Sequence, residues 1–297
     1  MTIVTLTLSP AVDIEYRLKT FSPGGLNRTQ SHTVSAGGKG INVSRSILRC
    51  AERDPNKGGF ELKTVAPVGG ETGEMLQWIL KKEGIDLTAV PVEESTRVNV
   101  SVIPDEGHSV EINAPGTPVG DALERIESEV LDGIGPGDCV VIAGSCPRDV
   151  PKSYPSELVR KVKQTGAAAV LDCDGEALRI AVNAAVKPDV IKPNNEELAE
   201  LTGCSPDDRK ELKKAAESLG IGTVVTTLAG DGSILTSEEW NGESVFFPTV
   251  KRPVVRLKGA GDTFLGAFVY AMYVRKDPPE WCMEYASSAA GVYVAGE

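Results

Sequence analysis

Histidine is nearly absent from this chain of 297 residues: only His32 and His108 occur. The six cysteines, at 50, 139, 146, 173, 204 and 282, include no Cys-x-x-Cys pair. These scarcities exclude a zinc constellation and suit a reducing compartment, so a cytoplasmic protein is expected. No stretch satisfies the Walker phosphate loop, which needs a Gly, four residues and then Gly-Lys-Ser/Thr. No Gly-x-Gly-x-x-Gly follows the first predicted strand, where Ser9-Pro10 stands, which argues against a dinucleotide oxidoreductase. No apolar run approaches the roughly 20 residues that span a bilayer, and residues 2–8 lack the basic start and apolar core of a signal peptide. Basic residues are outnumbered 31 to 42, a net charge of -11. Neither a nucleic-acid nor a membrane partner is therefore expected. An anionic substrate would have to be met by a few individually placed Arg and Lys side chains.

What is present is ordinary globular protein, 41% hydrophobic and 25% charged, long enough for one large α/β domain over 1–297. Residues 3–8 read as a buried strand. The stretch 11–34 alternates as exposed strands, and 93–114 contains a hairpin, with Val98, Val100 and Val102 alternating before a turn at Pro104-Asp105-Glu106-Gly107 and a return strand at 108–113. Helices are predicted at 40–51 and 72–83, around strand 62–68 and before a short strand near 87–92. From 120 onwards helices and apolar strands take turns: helix 120–132, strand 139–143, helix 152–165, strand 168–172, helix 175–185, strand 189–191, helices 195–202 and 207–219, strand 222–228. A β-rich piece at 232–255 precedes helices 262–275 and 279–294. Repeated βα units predict a parallel sheet covered on both faces. The two early β pairs do not fit that rhythm and read as one small appended sheet.

Three Gly-rich or polar junctions carry candidate chemistry. Gly259-Ala260-Gly261-Asp262 opens a helix, so free backbone N–H groups form an anion site beside a carboxylate. Asp262 is either a helix cap or a proton acceptor, expected to stay ionised at a helix N-terminus. Gly37-Gly38-Lys39-Gly40-Ile41-Asn42 also opens a helix, and Asn42 offers a donor and an acceptor to a polyol; a ligand-free turn is the alternative. Lys192-Pro193-Asn194-Asn195-Glu196-Glu197 follows a strand at the sheet edge where ligands bind. Asn194 and Glu197 suit water-mediated control of Mg²⁺, or equally a capping box. Asp13 lies just past the first strand, for sugar hydroxyls or a turn. Arg97 and Arg28 lie in the two β pairs and offer forks for a phosphate ester, or solvated strand positions.

Together these motifs, with Thr96-Arg97-Val98-Asn99, Glu111-Ile112-Asn113-Ala114-Pro115-Gly116 and Gly144-Ser145-Cys146-Pro147, resemble the ribokinase-like sugar kinases of the phosphofructokinase-B type. The resemblance runs from residue 3 to about 293. It implies a doubly wound, mainly parallel sheet with the segments 11–34 and 93–114 inserted as a β-sheet lid, which in this family often makes a homodimer contact. It implies ATP and Mg²⁺, with a sugar phosphate as the other substrate. By resemblance Asp262 is the catalytic base and Gly259, Ala260 and Gly261 the anion hole. Asp13, Gly38, Lys39, Asn42 and Asn113 hold the sugar, and Arg97 with Arg28 its phosphate. Lys192, Asn194, Thr227, Ala229 and Gly232 lie by the nucleotide, and Asn194 and Glu197 act on the metal through water. The branch most resembled is that of the 1-phosphofructokinases, which implies conversion of fructose 1-phosphate to fructose 1,6-bisphosphate. Tagatose-6-phosphate kinases stand close and minor 6-phosphofructokinases further off; a catalytically dead sugar-phosphate sensor on the same fold is the alternative of another class. Two departures stand out: Leu257-Lys258 replaces the family's Thr-Val or Ser-Val, and Ala229 replaces a glycine of the nucleotide loop.

Overall fold

A computed structural model describes residues 1–56 and 58–297. The chain opens with β1 (Thr2–Thr7), β2 (Ala11–Thr20), β3 (Ser31–Gly37) and α1 (Lys39–Arg53). It continues through β4 (Glu61–Val68), α2 (Gly70–Lys82), β5 (Leu87–Pro91), β6 (Arg97–Glu106), β7 (Val110–Asn113) and α3 (Leu123–Leu131). The regular βα part follows as β8 (Cys139–Ala143), α4 (Tyr154–Thr165), β9 (Ala168–Asp172), α5 (Gly175–Asn183), β10 (Val190–Ile191), α6 (Asn195–Thr202), α7 (Arg209–Ser218) and β11 (Thr223–Thr227). The chain closes with β12 (Gly232–Ser237), β13 (Ser244–Pro248), α8 (Ala260–Val269), a π-helical turn at Tyr270–Arg275, and α9 (Pro279–Val294). Among the described residues no helix is long and apolar enough to cross a membrane.

Nine strands form one sheet in the order β13-β12-β11-β10-β9-β8-β1-β4-β5, and β3-β2-β6-β7 form a second, smaller one. The large sheet is parallel except at one edge, where β11, β12 and β13 pair antiparallel. Its strands are apolar on both faces because helices cover both. In β8, Val140 and Ile142 point into the core beneath α3 to α7. Cys139, Val141 and Ala143 point into the core beneath α1, α8 and α9. Strand order reverses at the β1–β8 junction, which puts a crevice at their C-terminal ends, the place where open α/β sheets bind ligands.

The polar residues inside β1 have a purpose. Thr5, Ser44 and Thr64 are wholly buried and bonded to each other, with oxygen separations of 2.6 and 2.8 Å. Thr7 Oγ1 accepts the backbone N–H of Ile41 at 2.9 Å, tying the start of α1 to the end of β1. The N-terminus of α1 is thereby fixed at the crevice.

The two early β pairs do join into one sheet, through a parallel β2–β6 pairing. The turn expected at 104–107 lies later. β6 runs on to Glu106, because Pro104 pairs with Leu18 of a parallel neighbour and the strand is held past the proline. Arg28 is likewise not in a strand; it lies in the exposed connection between β2 and β3. The small sheet is amphipathic, and each face is covered only in part. On its polar face Asn99 and Ser101 are buried; on its apolar face Val12 and Ala36 pack against Leu76, Ile79 and Leu80 of α2, while Val34 (40%) and Ile112 (60%) remain exposed.

Candidate active site

The polar face of the small sheet looks onto the crevice. Asp13, on β2, accepts from Asn99 Nδ2 at 2.8 Å through one carboxylate oxygen. The other lies 3.5 Å from Lys258 Nζ. A Cβ at Gly37 would come within 2.3 Å of that carboxylate, so the glycine is what lets Asp13 face the cleft.

Helices α1 and α8 start side by side here. Asn42 Nδ2 donates to Asp262 Oδ2 at 2.7 Å, and Arg45 Nη1 donates to Asn42 Oδ1 at 2.6 Å. The guanidinium therefore sets which end of the amide faces Asp262. Below this contact Ser46 Oγ donates to the carbonyl of Thr263 at 2.7 Å, and a Cβ at Gly266 would lie 2.5 Å from Ser46 Cβ. Burial pushes the Asp262 carboxyl above the usual carboxylate range, against the pull of the Asn42 amide, with Asp172 pushing the same way and Lys192 and Lys39 opposing. The expectation that the helix terminus alone keeps Asp262 an ordinary ionised carboxylate thus meets a competing effect, desolvation, that makes it a stronger base.

The Gly259-Ala260-Gly261 turn divides into unlike parts. Gly259 has φ 84°, and a Cβ there would meet the Tyr293 hydroxyl at 2.7 Å, so the fold itself requires it. The N–H of Ala260 is spent on the Leu257 carbonyl at 3.0 Å. The N–H groups of Gly261 and Asp262 donate to no protein group among the described residues. Gly261 is in helical conformation, and a Cβ there would find only Lys192 Nζ, at 3.7 Å.

On the other side of the crevice Lys192, from the end of β10, is 7% exposed and lies 3.3 Å from Asp172 Oδ2. Lys39 Nζ, from the start of α1, lies 3.4 Å from Asp172 Oδ1. Burial would lower the Lys39 pKa, but Asp172 and then Glu197, Asp262 and Asp174 outweigh it and hold the ammonium above its ordinary value. Asp172 was not singled out from sequence. The one available signal was a carboxylate closing an otherwise apolar strand, Ala168-Ala169-Val170-Leu171-Asp172. Asn194 and Glu197 form a capping box: Glu197 N–H donates to Asn194 Oδ1 and Asn194 N–H to Glu197 Oε2, both at 2.8 Å. Thr227 ends β11 beside Asn194, and its N–H donates to the Pro193 carbonyl at 3.0 Å.

Ala229 holds φ 49°, a left-handed conformation that costs an L-residue about 1 kcal/mol and a glycine little. Ala229→Gly is therefore expected to raise the urea midpoint, by about 0.5 kcal/mol in stability once the looser unfolded chain is counted, at unchanged m. A lower midpoint would show that the alanine methyl makes a compensating contact. Gly232, where β12 starts, leaves room for the Phe247 carbonyl, which a Cβ would meet at 2.2 Å.

The remaining residues expected at the sugar and its phosphate are more scattered. Arg97 donates to the carbonyls of Ala114 at 3.0 Å and Ser9 at 2.9 Å, leaving its buried Nε with no acceptor. Arg28 stands exposed at the far end of the small sheet. Asn113 pairs with Asn99 at the sheet's outer edge. Gly38 starts α1 with φ 129°, where a Cβ would strike Thr7 Cγ2 at 2.5 Å.

The fold is that of the ribokinase-like kinases. Phosphofructokinase-2 from Escherichia coli, crystallised with fructose-6-phosphate, matches it with a TM-score of 0.86 at 27% identity, covering 98% of this chain and 93% of that one. The family model for pfkB family carbohydrate kinases matches residues 6–296, and the chain belongs to that family. A 1-phosphofructokinase of Bacillus subtilis is 35% identical over 90% of this chain and 84% of its own length. A tagatose-6-phosphate kinase of Staphylococcus epidermidis is 32% identical over 88% and 82%. The chain is thus a carbohydrate kinase, a phosphotransferase with ATP as co-substrate.

Proposed function

We propose that this kinase transfers the terminal phosphoryl group of ATP to a ketohexose phosphate, first of all fructose 1-phosphate at its 6-hydroxyl, giving fructose 1,6-bisphosphate and ADP. The similarity to 1-phosphofructokinases supports that choice of acceptor. The observation that carries the chemistry is Asp262, held by Asn42 next to two unspent backbone N–H groups. Asp262 takes the hydroxyl proton as the new O–P bond forms and the bond to ADP breaks. The N–H groups of Gly261 and Asp262, with the Lys192 ammonium beside them, hold the charge of the transferring group. Asp13, Asn42 and Lys39 orient the sugar from the polar side of the cleft, with Gly38 and Asn113 at its margins. Arg97 meets the sugar's own phosphate, whereas Arg28, exposed at the far end of the small sheet, stands away from it. Thr227, Ala229 and Gly232 flank the nucleotide.

A Mg²⁺ ion fits this edge through water. Among the described residues no three His, Cys, Asp or Glu side chains gather as a direct ligand set. The Asn194 carbonyl oxygen has a second lone pair and Glu197 a second carboxylate oxygen free of the cap, and these acceptors would take hydrogen bonds from the waters of the hydrated ion. When bound, the ion supplies charge neutralisation on the nucleotide phosphates.

Comparison of kcat/KM for fructose 1-phosphate, tagatose 6-phosphate and fructose 6-phosphate tests the reading. Fructose 1-phosphate should exceed both others by about tenfold, a difference of about 1.4 kcal/mol in transition-state binding. First place for either rival would overturn the choice of acceptor.

The small sheet serves as a lid over the sugar, and the exposed part of its apolar face, around Val34 and Ile112, pairs with a second copy of the chain. Ile112→Lys should convert a dimer into a monomer in light scattering at micromolar concentration. A variant that keeps the wild-type mass would remove this face from the contact.

A further inference from the structure

Asp172 has no part in the steps above, yet it is the most completely enclosed charge at the crevice. Its side chain is 0% exposed, so it cannot reach a substrate itself. It stands between two ammonium groups from different loops: Lys39, at the β3–α1 junction on the sugar side, and Lys192, at the β10–α6 junction beside Gly261. Each carboxylate oxygen serves one lysine. The separations, 3.4 and 3.3 Å, are longer than the 2.7–2.9 Å or so of a tight charge-assisted bond, and Oδ2 has no hydrogen-bond partner of good geometry. Both ammonium groups are thus held in place electrostatically, while most of their donors stay unspent for a ligand's oxygens.

We propose that Asp172 is a positioning residue for phosphoryl transfer, coupling Lys39 and Lys192 so that the two charges on either side of the transfer line are set as a unit. This rests on the kinase reading above. A lysine is a point charge on a flexible four-carbon stem, and it is precise only when something rigid selects its rotamer. Asp172 is rigid because it ends β9 between β8 and β10, with Ala143 as its strand neighbour and its own carbonyl accepting the N–H of Gly144 at 2.9 Å. One carboxylate between two lysines also makes their positions interdependent: when either ammonium is lost, the other recentres on it.

Double-mutant cycles read that interdependence. Asp172→Asn should lower kcat by about 10²-fold and raise KM for both ATP and the sugar phosphate, the size of effect seen when a charge at a transfer site loses its placement. Adding Lys39→Met or Lys192→Met to Asp172→Asn should then cost several-fold less than either lysine change costs in the wild type. A carboxylate with a merely structural role would lower the melting temperature and leave the effects multiplicative, and that result overturns the proposal. So does Asp172→Asn within threefold of wild-type kcat. Should Asp172→Asn fail to fold, the Lys39→Met/Lys192→Met cycle reads the same coupling with Asp172 in place, and multiplicative effects there count equally against it. Calorimetric titration of ATP into each variant needs no acceptor sugar. Coupled losses of ATP affinity uphold the proposal even if fructose 1-phosphate proves the wrong acceptor, and uncoupled losses sink it even if the acceptor is right.

Discussion

Asp262→Asn is expected to lower kcat by about 10³-fold, within the range for removal of a general base, with sugar-phosphate affinity nearly unchanged. Asn keeps the shape and can still accept the Asn42 Nδ2 hydrogen bond, so the loss isolates the proton acceptor. The same change should stabilise the fold. Burial raises the Asp262 pKa in the folded state, so the native protein binds this proton more tightly than the unfolded chain does. Stability contributed by that proton is intact below the unfolded value, about 4, and is lost as pH rises through the folded value. At neutral pH the ionised carboxylate therefore costs stability, and the Asn variant should melt about 2 °C higher. Below about pH 4 the difference should vanish, since both side chains are then neutral. The acid limb of wild-type kcat/KM should correspondingly fall above the usual carboxylate range. A variant with substantial residual turnover, or a melting advantage largest at low pH, would remove Asp262 from the role of buried base.

Gly261→Ala separates folding from function more sharply. Nothing in the fold asks for a glycine there: the conformation is helical and an added Cβ has ordinary clearance. Alanine should leave the protein as stable or up to about 1 kcal/mol more so. The methyl would nevertheless stand at the two unspent N–H groups and keep a phosphoryl group from reaching them. A loss of about 10²-fold in kcat is expected, comparable to the removal of one oxyanion donor. Near-normal kcat in a folded Gly261→Ala would show that the phosphoryl group is held elsewhere. Gly259→Ala is the informative contrast: with φ 84° and Tyr293 in the way, it should lose stability and activity together.

The regular βα part was readable almost residue by residue. Strands 139–143 and 168–172 and helices 195–202 and 279–294 fall where apolar runs and capping residues put them. The small sheet was readable as a sheet because its alternation breaks the βα rhythm. Its hairpin turn was misplaced because a proline inside β6 looks like a turn residue when the parallel partner is unknown. The helix expected at 262–275 changes to a π-helical turn at Tyr270, a change without a local composition signal. At the site, Asp262, Asn42, Asp13 and Lys192 do converge, drawn from positions as far apart as 13 and 262. Asp172 escaped notice because a strand-terminal Asp looks like any turn former until its two lysines are seen. That Ala260 spends its N–H on Leu257 was also invisible, since hydrogen-bond partners across a turn are set by backbone angles rather than residue type.

The locked seam between α1 and α8 bears on timing. Asn42 to Asp262, Ser46 to Thr263 and the close approach at Gly266 make the two helix starts one rigid body. The Asp262 carboxylate and the Asn42 amide are thus held at one spacing. Where the small sheet leaves the main one, Arg97 donates to the carbonyls of Ser9 and Ala114, so the lid we propose would have to pivot about that grip. A seam so packed leaves Asp262 and Asn42 no independent freedom, so their arrangement is set by folding rather than by the arrival of a ligand.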